Sequence, residues 1–326
     1  MNAPQVTVPQ GYDLVGDVHG CAQTLRALLE RLGYVRKRGV YQHPTRQLIL
    51  TGDVIDRGPR IRETLHLVRD MVDAGSALMI LGNHEYDAIC FCTEAKPGSG
   101  RTHLREHNER TELSIRATLE QFANHPGEWR EFLDWMLELP LFLEFPKFRV
   151  VHACWDHSLI RQFRRTYGRN RLDSYSLHQS IEPHTVPGRT VRRVLRGIDL
   201  PLPKGHSIQG QDGVERTQFR VKFWGRDLDT YGDLVFQPDR LPESIANAAI
   251  AKEHRMRLLH YGAGERPLFF GHYWRFGDPE LVRPNMACLD YSAVKSGKLV
   301  CYRMDGEQTL NSSKFVWEDV GPETLA

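Results

Sequence analysis

The sequence predicts an α/β fold, because short apolar runs alternate with stretches of helical periodicity in its first half. The runs YDLV, QLILT and ALMIL occupy residues 12–15, 47–51 and 77–81, and each has the length of a buried strand. The first two precede helix-like patterns whose apolar residues recur three and four positions apart: Leu25, Leu28, Leu29 and Leu32, then Leu65, Val68 and Val72. Alternation at this spacing predicts βαβ units with largely parallel strands.

The same reasoning extends to the rest of the chain. We expect helices over residues 111–123 and 129–138. The remaining apolar runs are predicted strands: FRVVH (148–152), PLFFG (267–271), MACLDYS (286–292) and KLVCYR (298–303). The last two flank the turn AVKSG and predict a β-hairpin.

The segment over residues 156–265 is rich in Arg, Pro, Gly and His and has little periodicity. The stretches RQFRRTYGRNR and RTVRRVLR make it locally basic. One interpretation is a solvated insertion whose arginine stems cover apolar surface. The other is a cap that draws an anionic substrate toward a site. Either way, we predict a single domain over residues 1–326 with an insertion or cap at about 156–265.

Composition narrows the class of protein. The formal charge of +2 over 326 residues argues against non-specific nucleic-acid binding across the whole surface. The six cysteines have no regular disulfide spacing, so reduced thiols are the simpler interpretation. The N-terminus does not resemble a signal peptide, and no run approaches the roughly 20 apolar residues of a membrane span. These features predict a soluble, cytoplasmic protein without a membrane partner, and leave its oligomeric state open.

Polar side chains suited to metal binding follow five of the predicted strands. In chain order they are Asp17 and His19, Asp53 and Asp56, Asn83 with His84 and Glu85, His152, and His272. Each alone fits a turn or a hydrogen-bonded core histidine, but together they would meet at the carboxyl edge of the sheet, where α/β folds bind ligands. Carboxylate, imidazole and amide ligands without thiolates favour Mn²⁺, Fe or Zn²⁺. One carboxylate can bridge two such ions about 3.5–4 Å apart.

These motifs resemble those of the calcineurin-like metallophosphoesterases, and more narrowly the phosphoprotein phosphatase branch that includes bacterial and phage serine/threonine phosphatases. The late stretch LDYSAVKSGKLVCYR is also similar to the closing strands of that family. The resemblance covers about 1–155 and 266–305, and implies a four-layer αββα sandwich with the metal site at the carboxyl ends of the strands. The motifs that carry it are GDVHG (16–20), GDVIDRG (52–58), GNHE (82–85), VVHA (150–153) and GH (271–272).

The resemblance also implies a role for each matching residue. Two divalent ions, Mn²⁺ or alternatively Fe or Zn²⁺, would be bound by Asp17, His19, Asp53, Asn83, His152 and His272, with Asp53 as the bridge. His84, oriented by Asp56, would be a general acid. Arg57 would hold phosphate oxygens, with Asn83 beside it. For the family's second phosphate-binding arginine the best candidate is Arg226, in KFWGRD.

Two departures from the family pattern concern the walls of the pocket. The family usually has HGG or HAG where this chain has His152-Ala153-Cys154, and GHT where this chain has His272 followed by Tyr273 and Trp274. No ligand residue is lost, but the two aromatic residues are expected to reshape the pocket. Glu85 is interpreted as structural, either at the start of a helix or bonded to a neighbouring loop.

The expected reaction is hydrolysis of a phosphate monoester by direct attack of a hydroxide that bridges the metals. The substrate would be a phosphoprotein or a small phosphoester, as for serine/threonine phosphatases. Symmetrical dinucleoside tetraphosphatases share GDxHGC and GNH but commonly carry GDLVARG, so Asp56 favours the monoesterase branch. Diadenosine tetraphosphate hydrolysis is the alternative, as is a phosphoesterase for nucleic-acid ends or cyclic nucleotides, with the Arg clusters contacting phosphates. A non-catalytic metal-binding module is a distant alternative.

Overall fold

The computed structural model describes residues 9–203, 205–209, 215–225, 228–236 and 241–321. These residues form two large β-sheets with flanking helices, and three two-stranded sheets. The strands are β1 (Gly11–Val15), β2 (Val35–Lys37), β3 (Val40–Gln42), β4 (Arg46–Leu50), β5 (Ala77–Met79), β6 (Phe142–Glu144), β7 (Arg149–Val151), β8 (Asp199–Pro201), β9 (Ile208–Gln209), β10 (Glu215–Arg216), β11 (Gln218–Arg220), β12 (Leu268–Phe270), β13 (Met286–Cys288), β14 (Asp290–Tyr291), β15 (Lys298–Met304) and β16 (Phe315–Asp319). The α-helices are α1 (Ala22–Leu32), α2 (Ile61–Asp73), α3 (Asn83–Cys92), α4 (Glu109–Phe122), α5 (Pro126–Leu137), α6 (His157–Tyr167), α7 (Ser174–Ser180), α8 (Val186–Arg196), α9 (Tyr231–Leu234), α10 (Glu243–Ala246) and α11 (Lys252–Arg255).

Parallel pairing forms the centre of both large sheets. The first has the strand order β14-β15-β1-β4-β5, with β16 also paired to β15, and the second has the order β13-β12-β7-β6. Strands β1, β4 and β5 are mutually parallel, as are β7, β12 and β13. The antiparallel pairs β1–β15 and β6–β7 lie beside these parallel groups. In each sheet the carboxyl ends of the parallel strands therefore lie at one edge.

Alternation of side chains along the strands produces two distinct cores. Leu14, Ile49 and Val300 of the first sheet pack with Val150 and Phe269 of the second, filling the space between the sheets. Successive strand residues point to opposite faces. The next residues along these strands accordingly join a second cluster that includes the apolar faces of the helices: Val15, Leu50, Cys301, Val151 and Phe270. The predicted α/β class and its helix–sheet–sheet–helix layering are confirmed.

The helices predicted from apolar periodicity are present in the structure. Helix α1 buries the predicted stripe at Leu25, Leu28 and Leu29 and ends at Gly33, whose φ of 92° is a left-handed cap that glycine adopts without strain. Helices α4 and α5 match the ranges 111–123 and 129–138 to within three residues.

The single strand predicted over residues 286–292 is wrong in one respect. Its first part is β13, which pairs in parallel with β12 in the second sheet, and its last part is β14, which forms the predicted antiparallel pair with β15 in the first sheet. Leu289 connects the two strands and donates its backbone N–H to the carbonyl of Phe270, at 2.7 Å. The residues of MACL are all buried and apolar, so no change of polarity in the sequence marks the point where the chain passes from the second sheet to the first.

The central segment contributes helices as well as short hairpins. Helices α6, α7 and α8 pack against one another, and Phe163, Val191 and Leu195 join the same apolar cluster as α1 and α2. The description of residues 156–265 as an insertion stays a prediction. Among the described residues, none of the helices combines the length and the apolar character needed to cross a membrane.

Candidate functional site

The loops after β1, β4, β5 and β12 meet at a pocket of about 260 Å³. Its lining residues are Asp17, His19, Asp53, Arg57, Asn83, His84, Arg196, Arg216, Arg220, His272, Trp274, Asp290 and Lys295. Most of the predicted site residues are in this list. His152, at the end of β7, lies directly beneath it and is fully buried.

Unusual backbone conformations aim these side chains into the pocket. Asp53, Asp56 and Arg57 have φ values of 53°, 65° and 68°, and His19 and His272 are also left-handed, at 43° and 64°. Such φ values are uncommon for residues other than glycine and persist where the surroundings enforce them, often at functional sites. The stretch GDVIDRG is therefore a strained loop.

Asp53 lies at the centre of the imidazoles. Its Oδ2 atom is 3.4 Å from Nε2 of His152, 3.9 Å from Nε2 of His19 and 4.0 Å from Nε2 of His84. Burial would raise the pKa of the Asp53 carboxyl, but the adjacent His152 and His84 hold it well below its ordinary value. Two groups of three metal-type side chains share this carboxylate: His19, Asp53 and His84, and Asp53, His152 and His272.

Backbone carbonyls orient two of the histidines so that their Nε2 atoms face Asp53. Nδ1 of His19 donates to the carbonyl of Ile55 at 2.8 Å, and Nδ1 of His152 donates to the carbonyl of Thr51 at 2.7 Å. These bonds favour the tautomer that leaves Nε2 with a lone pair, as is usual for metal-binding histidines. Nε2 of His272 is buried and has no hydrogen-bond partner among the described residues. This donor set fits divalent metal ions.

Asp17 and Asn83 complete the buried polar cluster. Oδ1 of Asn83 lies 3.1 Å from Nε2 of His152, and a carboxylate oxygen of Asp17 accepts the backbone N–H of His272 at 3.2 Å. Burial, together with the carboxylates of Asp290 and Asp53, raises the pKa of Asp17 well above its ordinary value. Repulsion among these carboxylates is what a bound cation would relieve.

His84, Asp56 and Thr118 form a chain of hydrogen bonds at the pocket's rim. Nδ1 of His84 bonds to Oδ2 of Asp56 at 2.6 Å. The Thr118 hydroxyl, from α4, donates to Oδ1 of Asp56 at 2.5 Å and accepts the Asp56 backbone N–H at 3.1 Å. Asp56 is therefore held in one orientation by a helix that contributes nothing else to the site, and it orients His84 in turn.

The guanidinium of Arg57 lies between two of these imidazoles. It approaches Nε2 of His19 and Nε2 of His84, each at 3.0 Å. Each of its two terminal nitrogens keeps a second N–H beyond these contacts, and the planar fork has the geometry for bidentate contact with phosphate oxygens.

Glu85 has the structural role expected of it. Its carboxylate is fully buried and accepts the backbone N–H groups of Gly82, Asp53 and Val54 at 2.8–3.0 Å. It thereby joins the start of α3 to the strained loop after β4. The two loops also touch directly, because a Cβ atom on Gly52 would lie 2.6 Å from the backbone of Gly82.

Several pocket residues were not predicted from the sequence. They are Asp290, Arg196, Arg216, Arg220 and Lys295. Asp290 follows the apolar run MACL, so the strand-end rule that found the other ligands also applies to it. The arginines belong to the central segment, where weak periodicity gave no placement.

The predictions for Arg226, Tyr273 and Trp274 differ in how the structure bears on them. Arg226, the predicted second phosphate-binding arginine, lies outside the described residues. Tyr273 is fully buried, with its hydroxyl 3.1 Å from Sγ of Cys154, and so does not face the pocket. Trp274 does line it, beneath the Lys295 ammonium at 4.6 Å from the ring centre.

Comparison with known proteins places this geometry in a family. The model of the calcineurin-like phosphoesterases matches residues 13–186. The chain is 34% identical over 266 residues to the symmetrical bis(5'-nucleosyl)-tetraphosphatase of Psychromonas ingrahamii, covering 80% of this chain and 81% of that protein. It is 30% identical over 306 residues to the protein of the same name from Vibrio parahaemolyticus, covering 90% and 96%.

A third relative carries a related name. The asymmetrical bis(5'-nucleosyl)-tetraphosphatase PrpE of Halalkalibacterium halodurans is 32% identical over 186 residues, covering 56% of this chain and 71% of that protein. The matched family model spans more than half of the 326 residues, including the loops that carry Asp17, Asp53, Asn83 and His152. The chain therefore belongs to the calcineurin-like phosphoesterases, a family of metal-dependent phosphoric ester hydrolases.

Proposed function

We propose that this phosphoesterase hydrolyses dinucleoside polyphosphates such as diadenosine tetraphosphate. The observation that carries the proposal is the charge of the pocket, where five cationic side chains exceed three carboxylates and two bound divalent ions would raise the positive charge further. A single phosphate group carries only about −1.5 to −2 at neutral pH. A chain of linked phosphates matches so many cations better than one phosphoserine does.

The names of the relatives support the same choice. The two that align with most of the chain are named for dinucleoside tetraphosphate hydrolysis. The first expectation, a serine/threonine protein phosphatase, rested on Asp56. That residue belongs to a hydrogen-bonded pair with His84, and this pair does not determine what lies beyond the scissile phosphate.

In this proposal the candidate metal ligands form two overlapping sets. Asp53 is shared between the sets. We assign His19 and Asp17 to one ion and His152, His272 and Asn83 to the other, as the resemblance of the motifs implies. Two divalent ions held there, for which Mn²⁺ is the first choice and Fe or Zn²⁺ the alternatives, would supply an activated water and neutralise charge on the transferred phosphoryl group. The buried, unpartnered Nε2 of His272 is the observation that best supports ligation.

The remaining roles belong to side chains that contact the substrate. Arg57 holds two oxygens of the scissile phosphate through its planar fork. His84 protonates the departing oxygen, and Asp56 keeps the imidazole oriented and stabilises its protonated form. Arg196, Arg216 and Arg220 contact the phosphates that flank the scissile one.

A substrate panel tests the proposal. Protein supplemented with Mn²⁺ is assayed with diadenosine tetraphosphate, an aryl phosphate, phosphoserine peptides and 2′,3′-cyclic nucleotides. We expect the dinucleotide to have the highest kcat/KM, by a factor of about 10² or more, since several charge-assisted phosphate contacts are added. Chromatography of the products separates two ADP from ATP plus AMP. A higher kcat/KM for the phosphopeptides would overturn the proposal in favour of a protein phosphatase.

A further inference from the structure

Helix α8 carries a row of arginines that leads away from the metal pocket. Its arginines at positions 189, 192, 193 and 196 are spaced so that they share one side of the helix. The opposite side buries Val191, Val194 and Leu195 in the core. We call the four arginine side chains the arginine face of α8. It extends over about 10 Å at the helical rise of about 1.5 Å per residue.

The arginine face joins two cavities. Arg196, at its inner end, lines the metal pocket. All four arginines, with Arg257, also line a neighbouring cavity of about 490 Å³, where Asp199 is the only carboxylate among the described lining residues. Arg196 contributes to both, so the two cavities meet at this side chain and the arginine face extends from the metal pocket along the larger cavity.

The four arginines of the face differ in whether they form ion pairs with carboxylates. Arg196 pairs with Asp87, and Nε of Arg193 lies 3.6 Å from a carboxylate oxygen of Asp156. Arg189 and Arg192 are exposed, and within the described part of the chain neither forms an ion pair with a carboxylate. Arg189 donates one hydrogen bond to Oε1 of Gln162, at 3.2 Å, which leaves its positive charge uncompensated. The charges of both guanidinium groups can therefore attract an external anion.

The position of α8 is fixed relative to the metal-type residues. The backbone N–H of Ala153, next to His152, donates to the carbonyl of Val194 at 2.8 Å. The C-terminal end of the helix, which carries a partial negative charge, points to this junction, and Arg193 and Arg196 offset that charge. The arginine face is thus attached to the end of β7 by the backbone and not by a flexible loop.

We propose that the arginine face of α8 binds the part of the substrate that extends beyond the scissile phosphate, and that the substrate class is therefore a linear polyphosphate chain. This inference rests on the proposed function and deepens it by assigning residues to the distal phosphates, because a monophosphate held at Arg57 would not reach Arg189 or Arg192. Linked phosphates suit the face, since each guanidinium can form paired bonds to phosphate oxygens.

The test uses two matched double variants. Arg189→Gln/Arg192→Gln removes the outer charges, and Arg116→Gln/Arg130→Gln removes two exposed arginines from α4 and α5 that line neither cavity. We expect the first variant to lower the ratio of kcat/KM for diadenosine tetraphosphate to that for an aryl phosphate by about 10-fold, through KM, as expected for loss of two exposed charge contacts. The control should keep the parent ratio. An unchanged ratio in the first variant would overturn the inference.

A binding measurement separates failure of this inference from failure of the proposed function. Metal-free full-length protein is titrated calorimetrically with inorganic tripolyphosphate. Binding about 10-fold weaker in Arg189→Gln/Arg192→Gln than in the parent and control supports the face, even if diadenosine tetraphosphate is not hydrolysed. Equal binding by all three proteins contradicts it, whatever the substrate panel gives.

Discussion

Replacing Asp53 with Asn is expected to abolish both metal binding and turnover. The carboxylate faces the Nε2 atoms of His19, His84 and His152 at 3.4–4.0 Å, so one substitution removes the negative charge that both proposed metal positions share. Loss of several kcal/mol of charge stabilisation corresponds to a fall in kcat/KM of about 10³-fold or more, at about 1.4 kcal/mol per factor of ten. Metal content by elemental analysis and steady-state kinetics measure the two effects.

The matched control is Asp134→Asn, at an exposed position on α5. It makes the same chemical change away from the pocket and should keep the parent's metal content and turnover. Because Asp53 is buried, circular dichroism and thermal unfolding must accompany the assays, so that loss of fold is not read as loss of metal. A folded Asp53→Asn protein with the parent's metal-dependent hydrolysis would disprove the shared position of this carboxylate.

Replacing His84 with Asn is expected to lower turnover while leaving the metals in place. A positioned histidine that protonates a leaving group contributes about 10²–10⁴-fold, and His84 is aimed by its 2.6 Å bond to Asp56. The loss should depend on the leaving group. A nucleotide leaves as a phosphate whose pKa is about 6, so it needs a proton less than an alkoxide does.

The measurement compares kcat for diadenosine tetraphosphate and for an alkyl phosphate in the parent and in His84→Asn. We expect the smaller loss for the dinucleotide, and a loss of the same sign in Asp56→Asn, with metal content kept in both. Equal losses for the two substrates would mean that His84 does not protonate the leaving group. Loss of metal in His84→Asn would instead assign it as a ligand, as its proximity to His19 and Asp53 allows.

The elements that the sequence predicts best are those in which one physical rule acts alone. The stripe of Leu25, Leu28 and Leu29 can only pack as a helix face, and it does so in α1. Ligand-binding residues gather at the carboxyl ends of parallel strands, which predicts that Asp17, Asp53 and His272 share one site. All three residues line the pocket. The five loops converge because both parallel groups end at the site.

The features that could not be predicted from the sequence are those that depend on tertiary packing. Arg196 belongs to the amphipathic helix α8, whose sequence RTVRRVLR is equally compatible with a solvated basic stretch. The contacts of α6 and α7 with α8 show which of its residues are buried. The crossing at Leu289 joins two sheets through residues that are all buried, so no change of polarity marks it. Thr118 is more than 60 residues from Asp56 and carries no motif, although it holds that carboxylate in place.

The substrate also could not be predicted from the sequence, because it depends on which side chains the fold brings together. Asp56 bonds to His84, and this contact would serve monoester and polyphosphate hydrolysis alike, whereas four of the five cations in the pocket come from residues 196–295. Much of that stretch lies in the central segment, which the resemblance does not cover. The arginines that favour a polyphosphate substrate lie beside the candidate metal ligands only in the folded chain.

Hydrolysis of diadenosine tetraphosphate by chelator-treated protein, before and after Mn²⁺ is restored, tests the central claim most directly. We expect negligible turnover without metal, recovery with two ions per chain, and a kcat/KM above that for phosphoserine peptides under the same conditions. Undiminished turnover in the metal-free protein, or restored protein that hydrolyses only the phosphopeptides, would contradict it.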